Sequence, residues 1–340
     1  MAKGSKQAVA KGLEDTLKKA KETLSDLKFQ VNKDTLQTAI DDAVLADVDH
    51  ISLEDIKELT QSLKDTIREV KKSDSVYPRL MERIFLSKYD DGDREILFTR
   101  DDIIETANNL AVKRPKNLGD LIYSFRYRTL LPESVRNKAP NNEEWIILPD
   151  GPARYRFALT RLASIIPNKG ILEIKVPDST PGIISMHALG DEQAILTRLR
   201  YNRLIDIFTH VTCYSLQNHL RTTVSAFGKT QVETDEVYVG VDSQGAHYVF
   251  PIQVKRGKDI LNVVQIWQDY FLCKDKFPKL ICRPIAAQLM HNNVIALFEF
   301  IFDSNRKDFA IKKEKHYRLL PANEITDADL AQYRQYMSTV

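Results

Sequence analysis

The stretch Gln231-Val-Glu-Thr-Asp-Glu-Val-Tyr-Val-Gly-Val-Asp-Ser-Gln-Gly-Ala-His-Tyr-Val-Phe-Pro-Ile-Gln-Val-Lys255 constrains the fold more than any other part of the chain. Two runs rich in Val, Tyr and Phe flank Asp242-Ser-Gln-Gly-Ala246, and together they read as one β-hairpin. The connection suits a three-residue loop, a type I turn followed by Gly245 in the left-handed region. That loop pairs Asp242 with Ala246, and the register it sets brings Asp235 opposite Gln253 and Glu233 opposite Lys255. Because side chains alternate along a strand, all four then lie on one face. A two-residue loop would shift the pairing by one residue and scatter them. Asp242 itself sits at the first turn position, where Asp is favoured for its local backbone bonds, and is read as turn chemistry.

Carboxylates, an amide oxygen and a lysine on one patch suit metal-assisted phosphodiester hydrolysis. A hard cation such as Mg²⁺ takes oxygen ligands and keeps several waters, so one or two carboxylates plus a substrate phosphate suffice. Such an ion acidifies a water and offsets charge at phosphorus. A neighbouring lysine orients the water or stabilises a developing oxyanion. The competing reading is a charged face turned to solvent, with Glu opposite Lys as an ordinary cross-strand pair. Val237, Val239 and Val241, with Tyr248, Phe250 and Ile252, oppose it: both strands are apolar on both faces near the turn, which predicts a buried hairpin.

The arrangement resembles the PD-(D/E)xK nuclease superfamily, and Gln253-Val-Lys-Arg256 resembles its Mrr-like, restriction-endonuclease-like branch with Gln-x-Lys. Thr234 stands where the name-giving proline would be, and Gln253 replaces the commoner acid. One ligand charge is thereby lost, to be compensated by Glu233 or by a carboxylate on a helix. The resemblance covers about a hundred residues. It implies a mixed β-sheet flanked by helices, a catalytic set of Asp235, Gln253, Lys255, Glu192 and Glu233, and Mg²⁺ held by Asp235, Glu192 and Glu233, with Mn²⁺ able to substitute. Glu192 is taken from the helix expected over residues 191–208, with Asp191 as its rival; a carboxylate in a first helical turn is equally expected from the helix dipole. Gln265 falls on a following helix that would line the site. His219, in a segment read as helical at 214–223, is a structural or phosphate-side residue rather than a required base.

Upstream, Thr99-Arg-Asp-Asp102 is a helix start, Asn117 to Arg128 a second helix, and Pro149-Asp-Gly-Pro152 the turn of a hairpin. Helix, turn, helix and hairpin is the order of a winged helix-turn-helix. Residues 113–161 hold ten Lys+Arg against five Asp+Glu. Arg114, Lys116, Arg126, Arg128, Arg154 and Arg156 are the expected DNA contacts here, joined by Arg256 and Lys258 after the hairpin. Alternatively, the aromatics are core and the cations a solvated face.

Three units follow: a helical segment at 1–78, a winged-helix-like domain at 79–165 and the nuclease-like domain at 166–340. The first carries apolar stripes, Leu13 to Leu27 and Leu53 to Val70, that fit a helix hairpin or a dimerisation arm. No run of eighteen apolar residues and no signal-like N-terminus occurs, and the three cysteines have no metal or disulfide spacing, so a cytoplasmic protein is expected. No phosphate-cradling Gly-rich loop indicates a nucleotide cofactor. The fold class expected is α/β and multi-domain. The expected function is a Mg²⁺-dependent endodeoxyribonuclease of restriction or defence type acting on double-stranded DNA as a homodimer. The alternatives are a DNA-binding adaptor with an inert nuclease fold, or a nuclease for RNA or branched DNA.

Overall fold

The computed structural model of the protein describes residues 76–188, 192–225, 229–257, 259 and 261–337. The expected N-terminal helices, Asp191 and Lys258 lie outside them. From Tyr77 onward the chain forms one compact unit, so the segments expected at 79–165 and 166–340 pack within a single body.

The first part runs α1 (Val76–Lys88), β1 (Glu95–Thr99), α2 (Arg100–Asn109), α3 (Leu118–Tyr127), a turn of helix at Glu133–Arg136, β2 (Glu144–Gly151) and β3 (Arg154–Thr160). The Thr99 hydroxyl accepts the Asp102 N–H at 3.2 Å while the Asp102 carboxylate accepts the Thr99 N–H at 2.7 Å, a reciprocal cap that starts α2. Asn117 Oδ1 caps α3 by accepting the Gly119 and Asp120 N–H groups. The three strands form an antiparallel sheet in the order β1-β3-β2. Phe98 stacks on Phe157 with centroids 4.6 Å apart, and Phe85 meets Phe157 edge-on at 5.1 Å. Strand β1 was not expected, because its five residues sit against the cap of α2 without a turn cluster between them.

The second part comprises β4 (Ser164–Ile165), β5 (Glu173–Pro177), a short helical segment at Gly182–His187, α4 (Glu192–Tyr201), α5 (Leu204–Thr209), β6 (Thr212–Val224), β7 (Thr230–Val241), β8 (His247–Arg256), β9 (Leu261–Asn262), α6 (Val263–Lys276), β10 (Ile281–Cys282), β11 (Ile285–Leu289), β12 (Val294–Asp303), β13 (Asp308–Leu320) and α7 (Asp327–Met337). Its large sheet runs β5-β13-β12-β11-β8-β7-β6, with β10 beside β8; β8–β11, β8–β10 and β5–β13 are parallel and the other pairs antiparallel. Alternation decides which helix covers which face. Ile285, Ala287, Ile295 and Leu297 pack with Ile195, Leu199 and Phe208 of α4 and α5. Ala286, Ala296 and Phe298 point the other way and pack with Val264, Ile266 and Trp267 of α6. The fold is thus mixed α/β, a large mixed sheet flanked by helices. No helix among the described residues is long and apolar enough to cross a membrane.

Two expectations are corrected here. The single helix over 191–208 is two helices, broken at Arg203, whose φ is +49°. The buried Asn202 holds the break: its amide donates to Asp178, Thr180 and the Arg198 carbonyl, and its oxygen accepts the Ser179 N–H at 2.6 Å. Residues 214–223 are not helical but belong to strand β6, paired along its length with β7. The available partner strand outweighed the polar composition, which by itself carries no strand period.

Candidate active site

The β7–β8 hairpin has the register expected from its loop. Gly245 has a φ of +82°, its N–H donates to the Asp242 carbonyl at 3.1 Å, and the Asp242 N–H donates to the Ala246 carbonyl at 3.1 Å. Asp242 is turn chemistry, as expected: its carboxylate accepts the Gln244 and Ala246 N–H groups and the Tyr248 hydroxyl. From Val241↔His247 the ladder runs to Glu236↔Ile252 and stops. Beyond that point side chains take over from backbone. Asp235 Oδ2 accepts the Val254 N–H at 2.7 Å, the Thr234 hydroxyl donates to the Ile252 carbonyl at 3.3 Å, and Gln253 Nε2 donates to the Glu233 carbonyl at 3.3 Å.

Around this interruption the candidate residues gather. Lys255 Nζ donates to Glu192 Oε1 at 2.6 Å, so the first turn of α4 reaches the end of β8. Burial pushes the Asp235 carboxyl above its ordinary range; the Val254 N–H and the Lys255 and His219 side chains pull the other way, and Glu192 adds to the rise. Gln253 is buried, with Nε2 also donating to Asp269 Oδ1 at 3.0 Å and Oε1 accepting from Gln265 Nε2 at 2.9 Å. Gln265 thus lines the site from α6. Asp235, Gln253, Lys255 and Glu192 therefore converge from β7, β8 and α4.

Glu233 departs from its expected place. Its carboxylate accepts from Arg221 Nη2 at 2.7 Å and lies 3.7 Å from His219 Nδ1, while Lys255 is taken by Glu192. The cause is the neighbouring ladder: Arg221 is directly opposite Glu233 on β6, and β8 has left the register that would have offered Lys255.

Two residues gain weight. His219 has a φ of +46° in β6 between Asn218↔Glu236 and Leu220↔Thr234, and its Nε2 lies 2.7 Å from Gln193 Nε2 of α4. Asp269, on α6, was not singled out. It is fully buried, and burial, with the nearby charge of Asp235, holds its carboxyl well above the ordinary range against the opposing Gln253 amide and Thr234 hydroxyl. Its spacing from Gln265 was the available signal, since residues four apart share a helix face.

The basic residues divide. Arg114, Lys116, Arg128, Arg154 and Arg256 are exposed. Arg128 lies over the Tyr123 ring at 4.7 Å. Arg156 is ion-paired with Asp150 at 2.9 Å. Arg126 departs from the DNA contact expected of it: it is 8% exposed, and its Nε and Nη2 have no hydrogen-bond partner. It points into the packed side of α3, whose Tyr127 hydroxyl reaches across to Gln268 of α6 at 2.9 Å.

The chain matches no protein-family model, no curated protein and no solved structure. What the site can do follows from its own side chains. Among the described residues no three His, Cys, Asp or Glu side chains already converge as metal ligands. Two carboxylates with water and phosphate oxygens satisfy Mg²⁺, however, and the donor set here is all oxygen. A buried oxygen without a partner, Asp269 Oδ2, fits the same chemistry.

Proposed function

We propose that the protein is a Mg²⁺-dependent endonuclease that hydrolyses phosphodiester bonds in double-stranded DNA. One observation carries the reading: Asp235, Gln253, Lys255 and Glu192, from three elements, meet where the β7–β8 ladder is interrupted. The ion would be held by Asp235 with Glu192, and Mn²⁺ would substitute. When bound, it supplies Lewis acidity at a phosphoryl oxygen and lowers the pKa of water. Asp235, fixed by the Val254 N–H, presents its other oxygen to the site. Lys255 orients the attacking water and stabilises charge on the phosphoryl group. The water oxygen bonds to phosphorus as one sugar–oxygen bond to phosphorus breaks; the water gives up one proton and the departing oxygen takes one up, leaving a phosphomonoester and a free hydroxyl.

The PD-(D/E)xK resemblance is supported by the antiparallel β6-β7-β8 unit followed by α6 and a strand parallel to β8. The order α1, β1, α2, α3, β2, β3, with the sheet ordered β1-β3-β2, supports a winged-helix reading of the first part. In that reading Arg114, Lys116, Arg128 and Arg154 contact phosphates. Cutting both strands takes two centres, so we propose a homodimer.

Incubating the protein with supercoiled plasmid and Mg²⁺ or Mn²⁺, with an EDTA control, tests this. Nicking or linearisation that EDTA removes, and that Asp235→Ala and Lys255→Ala abolish, is expected. Full activity in Asp235→Ala would sink the assignment. A DNA-binding adaptor with an inert site is the second reading, favoured by one fact: the Gln253 amide is already engaged by Asp269, Glu233 and Gln265. It predicts duplex binding without cleavage of linear, branched or RNA substrates.

A further inference from the structure

Replacing an acid by Gln253 removes a negative charge from the strand position nearest Asp235, and the structure holds another acid behind it. Asp269 is 0% exposed, in the middle of α6, a helix that begins at an Asn262 cap just after β8. Oδ1 accepts from Gln253 Nε2 at 3.0 Å, and Oδ2 has no hydrogen-bond partner. A buried polar atom left without a partner is destabilising, and native structures keep few of them.

Residues 253 and 269 are complementary. A glutamate at 253 would put a second carboxylate about 3 Å from Asp269 in a buried site, where two such groups do not both ionise. A glutamine instead donates to Asp269. Gln265, one turn before Asp269 on the same face of α6, donates to Gln253 Oε1 and so fixes which end of the amide faces the acid. Gln253 is thereby a positioning residue: its N–H orients Oδ1, and the Thr234 hydroxyl is the other polar group beside the carboxyl.

We propose that Asp269 is a divalent-cation ligand, supplying from α6 the carboxylate that β8 lacks, beside Asp235. This rests on the metal-dependent reading above, and it changes that reading: the ion's acids become Asp235 and Asp269, with Glu192 paired to Lys255.

The test is Mn²⁺ binding to the full-length protein without nucleic acid, read from the electron paramagnetic resonance signal of free Mn²⁺. Thermal unfolding of each variant runs in parallel. Asp269→Asn keeps an acceptor for Gln253 and is expected to lose at least ~10-fold in Mn²⁺ affinity. The exchange variant Gln253→Glu with Asp269→Asn returns one carboxylate to the pair and should recover affinity to within about threefold of the parent, on the same metal-affinity scale. Unchanged affinity in Asp269→Asn, with loss in Asp235→Asn, would make Asp269 a core acid and overturn this inference while sparing the metal site. Unchanged affinity in both, or no Mn²⁺ binding by the parent, would overturn the metal-dependent reading as well. Should Asp269→Asn fail to fold, Asp269→Ser decides: a folded protein with lowered Mn²⁺ affinity supports the ligand role, and a folded protein with the parent's affinity overturns it.

Discussion

Asp235 Oδ2 accepts the Val254 amide N–H at 2.7 Å, in place of the Thr234 carbonyl that a continued ladder would offer. A site acid therefore doubles as a backbone partner, and its chemistry and its structural role are separable by substitution. Asp235→Asn retains an acceptor, so stability should change by only about 1 kcal/mol, whereas Asp235→Ala strands a buried donor at a cost of about 1–3 kcal/mol. Both should lose Mg²⁺-dependent plasmid cleavage by at least about 100-fold. Urea denaturation beside a nicking assay separates the two effects. An active Asp235→Asn would mean that the carboxylate serves only the backbone.

Gly245, at a φ of +82°, sets the hairpin register. A β-branched side chain is poorly tolerated there, and Gly245→Val should destabilise the protein by about 1–2 kcal/mol. Urea midpoints of the two proteins measure it. Equal midpoints would show that the strands, not the turn, hold the register.

Arg126 and Arg128 are two residues apart with opposite surroundings. Arg128→Ala should weaken duplex binding and reduce the salt slope of log affinity by about 1. Arg126→Met should leave that slope unchanged and hold or raise stability, because it replaces a buried guanidinium with two unpartnered nitrogens by an apolar side chain. Fluorescence anisotropy between low and moderate salt distinguishes them. An equal drop in slope for both would place Arg126 against phosphate.

The Lys175 ammonium and the Thr326 hydroxyl and N–H hold the Asp329 carboxyl at about 2, below its ordinary 3.8. Its folded-state pKa is depressed, so its stabilising contribution is present above 3.8 and is lost as pH falls through about 2. Asp329 both caps α7 and ties it to β5 through Lys175. Asp329→Asn should therefore flatten the loss of protection of α7 between those pH values, measured by hydrogen exchange. An unchanged acid profile would remove Asp329 from the account.

Local signals carried much of the fold. The Thr99-to-Asp102 cap, the Asn117 cap and the Gly245 loop were legible because each acts within four residues, where side chain and backbone meet without help from elsewhere. The nearly continuous apolar run of β12, interrupted by Glu299, announced a strand buried on both faces. Strand β13, whose middle is Lys312-Lys-Glu-Lys315, was not legible, because pairing with β12 rather than an apolar period makes it a strand.

Within the candidate site, sequence alone determined the hairpin register as far as Glu236↔Ile252, and so put Asp235 and Gln253 at the end of one ladder, because turn geometry and alternation are local. Only the tertiary structure decided that Lys255 meets Glu192, that Glu233 turns to Arg221, and that Asp269 lies buried against Gln253. Those outcomes depend on which helix end reaches the strand end and on where the ladder stops. Both are set by packing between elements distant in the chain, and packing has no local period to read.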